Sequence, residues 1–407
     1  MKNRLLKLTV SETLFIILIF STIFYSFGIK YCSKYFNYMD DFLFIMLFGL
    51  ALLKIIMKKN KKKLNNYDKI IIFFMLLLVI EGILGNIISN YQNSIQAIII
   101  DIFTTFKFFG VYISCKILFK EKKAERNYKI AEYVSKIVLI LMLCITILNT
   151  ICDWKLAEKY TRFGINSYSL GGHPTFAAAI ACCCVSILLS NYKKNKKWVF
   201  LGLILTAMTL RIKAIAYVLI MIIILLSKKG EKSFQARNLV IYGFIAIIIA
   251  HKYIINYFFD ITASRGAAMI ASLKLAVKYF PIGSGFATFG TVQSIKSYSK
   301  AYEVLGLNNR YGFMKNAGAF SGDGGWATYI GQYGFIGCFI LISMIFLIYK
   351  SIKFYNKKDS NYYPYISILL YLLICSTSEI AFSSNYAVLF AISLVILINK
   401  NKIKKDT

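Results

Sequence analysis

Proline is almost missing from this chain, with three in 407 residues. Histidine and tryptophan are as scarce, at two and three, and 18 acidic residues face 49 lysines and arginines. Charged residues reach only 16% of the chain, where a soluble globular protein carries about 25%. That shortage excludes an ordinary water-soluble globule, because 58% hydrophobic residues exceed what a core can hide. No CxxC, HExxH, phosphate-loop or dinucleotide signature occurs, so no metal and no cofactor is expected. The nine cysteines form no framework. Cys182, Cys183 and Cys184 are consecutive and point about 100° apart on a helix, which prevents them from chelating one ion. Cys32 and Cys152 reach the same side of the membrane in the reading below and could pair, though nothing compels it.

The apolar residues that are present come in long runs. A helix crossing a hydrocarbon layer of roughly 30 Å needs about 20 of them. That length predicts an all-α polytopic membrane protein with about twelve spans: 11–29, 41–57, 69–90, 95–118, 130–151, 172–190, 198–211, 213–227, 239–258, 325–349, 361–381 and 385–399. The pair around Arg211 is also readable as one broken hairpin. A net charge of +31 would point to nucleic acid on a soluble chain, but its distribution here argues against such a partner. Basic clusters such as 58–63, 120–129, 193–197 and 228–232 occupy every second connection, and they hold about 32 of the 49 basic residues. Cytoplasmic loops carry such clusters, so both termini are expected in the cytoplasm, with the first apolar run acting as a signal anchor.

The chain divides into a bundle over 1–258, a large extracytoplasmic loop over 259–324, and C-terminal spans with a basic tail over 325–407. The loop contains one amphipathic segment, 264–280. Ile270, Leu273, Val277 and Phe280 recur there at helical spacing with Lys274 and Lys278 on another face, and Pro281 ends it. This spacing predicts a helix on the membrane surface or an ordinary loop helix.

Arginine is the informative residue type. Lysine supplies 42 of the basic residues and arginine seven, yet Arg162, Arg211, Arg265 and Arg310 all fall on the sparsely basic outer side. A guanidinium grips phosphate oxygens two at a time, which an ammonium does not. The alternative is attraction to lipid headgroups or outer carboxylates. His173, in GGHP, lies eleven residues after Arg162 and is readable as a general base or as a hydrogen-bonding residue at a helix start. Within the spans, Glu81 and Lys107 lie at similar depth and are expected to pair. The glycine-rich run after Pro281 carries a weak hint of a phosphate cradle.

Four stretches resemble the Wzy-type polysaccharide polymerases of the O-antigen polymerase and ligase superfamily: RFGINSYSLGGHP (162–174), TLRIKAIAYVLI (209–220), SRGAAMIASLKLAVKYFPIGSGFATFG (264–290) and SGDGGWATYIGQYGFIG (321–337). The resemblance implies a GT-C-like glycosyltransferase in the bacterial cytoplasmic membrane. It would act on undecaprenyl-pyrophosphate-linked oligosaccharides, alongside a flippase and a chain-length regulator. Arg162, Arg211, Arg265 and Arg310 would neutralise the pyrophosphate, and His173 or Asp323 would take the acceptor's proton. Lys213, Lys274, Lys278, Tyr168, Trp326, Tyr329 and Gln332 would bind substrate. Ligase-type transfer to another acceptor is the near alternative, and a lipid-linked oligosaccharide flippase is the distant one.

Overall fold

The computed structural model describes residues 38–57, 64–119, 123–151, 160–162, 165–167, 173–227, 260, 262–315, 324–356 and 361–406. The first helices follow from apolar length and local capping. After α1 (Met39–Ile56), α2 (Asn66–Ser89) starts where the Asn65 side chain accepts from the Asp68 amide at 2.6 Å, and stops at Asn90, whose φ of 52° turns the chain left-handed. Ser94 caps α3 (Ile95–Thr105) in the same way. A 57° bend at Phe106 then leads into α4 (Lys107–Leu118). Next come α5 (Ala124–Ile151) and a small antiparallel pair, β1 (Tyr160–Arg162) with β2 (Ile165–Ser167). The helices α6 (Pro174–Leu189), α7 (Tyr192–Ala207) and α8 (Ile212–Leu226) follow. Beyond residue 260 the order is α9 (Ser264–Lys278), the short α10 (Val292–Lys296) and α11 (Ala301–Val304), then α12 (Gly325–Tyr355), α13 (Tyr363–Cys375) and α14 (Asn385–Asp406).

A helix stands at each expected span that falls within the described residues; 11–29 and 239–258 lie outside them. Among the described residues, three helices are long and apolar enough to cross a membrane: α2, α5 and α12. The bent pair α3–α4 makes a fourth if it is one span. Helices α6, α8, α13 and α14 are apolar but shorter. These helices mark the chain as a helical membrane protein.

Helix α6 is buried along its whole length, and α14 is buried from Tyr386 to Ile398. A helix apolar on every side has to be wrapped by others. Small residues make the wrapping close: a Cβ on Gly202 of α7 would stand 2.4 Å from Val185 of α6. The three consecutive cysteines lie in this core. Helices α1, α2 and α12 instead turn Ile45, Phe73, Ile80, Ile87 and Phe339 outward, a surface suited to lipid and unsuited to water.

The expected Glu81–Lys107 pair does not form. Helix α1 packs along α4, so its acidic first turn reaches α4's first residue, and Lys107 pairs with Asp40 at 2.5 Å and Asp41 at 2.7 Å. Glu81 faces α12 and accepts from the Gly283 amide at 3.2 Å. Depth along a span sets a residue's height and leaves its direction open, so equal depth was insufficient to identify the partner.

The segment 264–278 is helical as its spacing predicts. Its buried face is the small-residue side, Gly266, Ala267, Ala268, Ala271, Ser272 and Ala276, with Leu275. Leu273, Val277 and Phe280 stay exposed, the last two at 67% and 70%.

Candidate functional site

Two helices begin side by side at one end of the bundle. His173 is the residue before α6, with Pro174 preset for the first helical position, and Arg211 is the residue before α8. Leu210, at φ 51°, reverses the chain between α7 and α8 and delivers Arg211 to that corner. Arg211 Nη2 lies 2.9 Å from His173 Nε2. A guanidinium only donates, so the imidazole accepts through Nε2 and carries its proton on Nδ1. Both helix N-termini add partial positive charge here, which makes the corner attractive to an anion.

In the first turn of α8, Lys213 pairs with Glu379 Oε1, and the Tyr386 hydroxyl donates to the same oxygen at 2.6 Å. Glu379 comes from the turn after α13. That turn receives the start of α12: a Cβ on Gly325 would stand 2.2 Å from the Glu379 carbonyl oxygen, and the Trp326 amide donates to the Ser376 carbonyl at 3.3 Å. Tyr371 joins α13 to α6 by donating to the Thr175 carbonyl at 3.4 Å. His173–Thr175, Arg211–Lys213 and Gly325–Trp326, far apart in sequence, therefore converge around the end of α13 and the turn that follows it. Nothing in the spacing of Glu379 announced its place there; it was legible only as an acid near a span's end.

On its other side the first turn of α12 meets α9, where Ala327 packs with Ala267, Ala268 and Ala271. Arg265 lies in the first turn of α9. Ser264 Oγ donates to the Tyr311 carbonyl at 3.1 Å, bringing the turn that carries Arg310 beside it. Hydrogen bonds from Thr262, and more weakly the Arg310 charge, hold the Asp260 carboxyl below its ordinary value. The start of α12 thus lies between the turn that holds Lys213 through Glu379 and the helix that begins at Arg265.

The other expected residues have different settings. Tyr168 and Asp323 lie outside the described residues, and Arg162 is placed by its backbone alone, opposite Ile165 in the β1–β2 pair. Trp326 is half-buried and meets buried Tyr329 edge-on at 6.0 Å, so the indole is the more accessible of the two rings. Lys274 is exposed on α9. Lys278 donates to the Tyr91 hydroxyl at 2.8 Å, a bond that holds its ammonium above the ordinary lysine value. Gln332 is fully buried and donates to Asp101 Oδ2 at 3.0 Å, inside the protein and away from the mouth.

The glycine-rich run 281–291 returns into the helices. Its amide donors are used internally: Ser284 and Gly285 donate to the Gly331 and Gln332 carbonyls at 3.0 and 2.8 Å, Phe286 to Asn86 Oδ1 at 2.8 Å, and Ala287 to Asp101 Oδ2 at 2.7 Å. Asn86 Nδ2 returns a bond to the Phe286 carbonyl at 2.8 Å, and Gln92 donates to the Ala287 and Ser297 carbonyls, both at 2.8 Å. Carbonyls 331 and 332 are free to accept because α12 breaks at Gly334, where φ is 55° and ψ −150°. These amides are committed to protein acceptors, so the run is a clamp between α2, α3 and α12 and does not cradle phosphate. Asn86 and Gln92 are polar side chains on or beside apolar helices with no further signal in the sequence, while Asp101 was legible only as an acid within a span.

Among the described residues, no three His, Cys, Asp or Glu side chains gather into a metal site. The sequence matches no family model and no curated protein.

Proposed function

We propose that this protein is a polysaccharide polymerase, joining undecaprenyl-pyrophosphate-linked oligosaccharide repeats at the outer leaflet of a bacterial cytoplasmic membrane. The observation that carries the reading is the meeting of two helix N-termini at Arg211 and His173, 2.9 Å apart. A donor-rich corner of this kind suits a pyrophosphate leaving group, whose charge grows as the bond to the sugar breaks. Arg265, in the first turn of α9 packed on the start of α12, and Arg310 beside it are assigned to that charge as well. The half-buried indole of Trp326 offers a face for a sugar ring. The full chain in this reading has about twelve spans in a GT-C-like arrangement, with both termini in the cytoplasm.

In the reaction, the hydroxyl at the non-reducing end of one lipid-linked glycan attacks the anomeric carbon of another, with inversion. Undecaprenyl pyrophosphate leaves. The test is the glycan profile of cells that carry Arg211→Ala. The expected result is single repeats held on undecaprenyl pyrophosphate at the outer leaflet, with the protein still inserted. Normal long chains from that variant would refute the reading. Accumulation of single repeats on the inner leaflet would indicate a flippase, and long chains that fail only to reach a final carrier would indicate a ligase.

A further inference from the structure

The Arg211 contact has a consequence for His173. Because the guanidinium donates to Nε2, that lone pair is occupied and Nδ1 carries the ring's proton. Neither ring nitrogen is then open to accept a proton from a substrate. The corner offers a different acceptor. Glu379 receives both the Lys213 ammonium and the Tyr386 hydroxyl on Oε1, while among the described residues Oε2 takes no hydrogen bond. Its side chain keeps 23% of its surface exposed, so Oε2 belongs to a group a substrate is able to reach. A carboxylate fixed through one oxygen and open through the other has the form of an oriented general base.

We propose that Glu379 takes the proton of the attacking hydroxyl, with Lys213 and Tyr386 as positioning residues for it and His173 as the positioning partner of Arg211. The inference rests on the glycosyl-transfer reading above and names the acid–base residue of that same site. In the step, the acceptor hydroxyl oxygen forms a bond to the donor's anomeric carbon as the bond from that carbon to the pyrophosphate oxygen breaks. The electron pair of the broken bond leaves with the pyrophosphate, and the hydroxyl proton passes to the Glu379 carboxylate. Lys213 and Tyr386 both hold Oε1, which limits the carboxylate's rotation and keeps Oε2 directed away from them.

The competing role is a structural ion pair that ties α8 to the turn after α13, and the experiment separates the two. The full chain is reconstituted in lipid nanodiscs with lipid-linked repeats extracted from cells that lack it, and turnover is measured for wild type, Glu379→Gln and Glu379→Ala. Glu379→Gln keeps size and hydrogen bonding but removes basicity. The expected result is a loss of about 100-fold or more in kcat with donor KM within about threefold of wild type, and partial recovery of Glu379→Ala by added formate. Turnover of Glu379→Gln within about threefold of wild type, or a loss confined to KM, overturns the assignment. Where Glu379→Gln fails to insert, the alanine variant decides: formate recovery supports the base and its absence overturns it. A wild-type chain that joins no repeats removes the polymerase reading, and the base with it. An active wild type with an equally active Glu379→Gln removes only the base.

Discussion

Asn86→Ala tests whether the glycine-rich run is a clamp. The Asn86 amide makes two bonds to one residue, accepting from the Phe286 amide and donating to the Phe286 carbonyl, each at 2.8 Å. Asn86 is 8% exposed and Phe286 fully buried, so water has poor access to either backbone group after truncation. A stranded buried polar group costs about 1–3 kcal/mol, which puts the pair at about 2–6 kcal/mol. Relaxation toward Ser89, which holds the Ser284 carbonyl at 2.7 Å, favours the lower half of that range. At 1.4 kcal/mol per tenfold change, even 2 kcal/mol shifts the unfolding equilibrium about 25-fold. Equilibrium unfolding of the purified protein in mixed detergent micelles is the assay, followed by tryptophan fluorescence. A second readout is the labelling rate of a cysteine placed at Ala287, expected to rise in the Asn86→Ala background as the loop opens. A variant within about 0.5 kcal/mol of wild type, with labelling unchanged, would refute the clamp, since that is the range of inert surface substitutions.

Two further perturbations test other parts of the structure. Lys107→Met leaves Asp40, 2% exposed, beside Asp41 without their shared cation. A loss of about 3–5 kcal/mol is expected, measured by the same unfolding assay, while a double-mutant cycle between positions 81 and 107 should give a coupling under about 0.5 kcal/mol. Thr262→Val removes the largest influence on Asp260, so its carboxyl should titrate closer to the ordinary aspartate value, as followed by carboxyl-carbon NMR of labelled protein. Because the folded value is depressed, the stabilisation is present at neutral pH and fades as pH falls through that value; the variant, which keeps the backbone bond at position 262, should show less of this acid dependence. An unmoved titration would show that Thr262 does not hold the carboxylate.

Much of this architecture is local and was open to reading from residues alone. Apolar length and capping side chains such as Asn65 and Ser94 set where helices run, because both act between near neighbours in sequence. The helix over 264–278 followed from its spacing and from Pro281. The sequence also marked His173 and Arg211 as unusual among so many lysines and apolar residues.

Their relations belong to the tertiary structure. Which charge answers Lys107 depends on the direction in which α1, α2 and α12 present their faces, and hydropathy carries no such azimuth. Whether a glycine-rich run meets a ligand or a helix depends on the break at Gly334, which exposes two carbonyls for it to bond. The contact between Arg211 and His173 is likewise decided by the packing of α6 against the α7–α8 turn. Composition and period determine the elements because they act over a few residues; the partners of each polar group are set by packing between segments more than two hundred residues apart, as with Asp101 and Gln332.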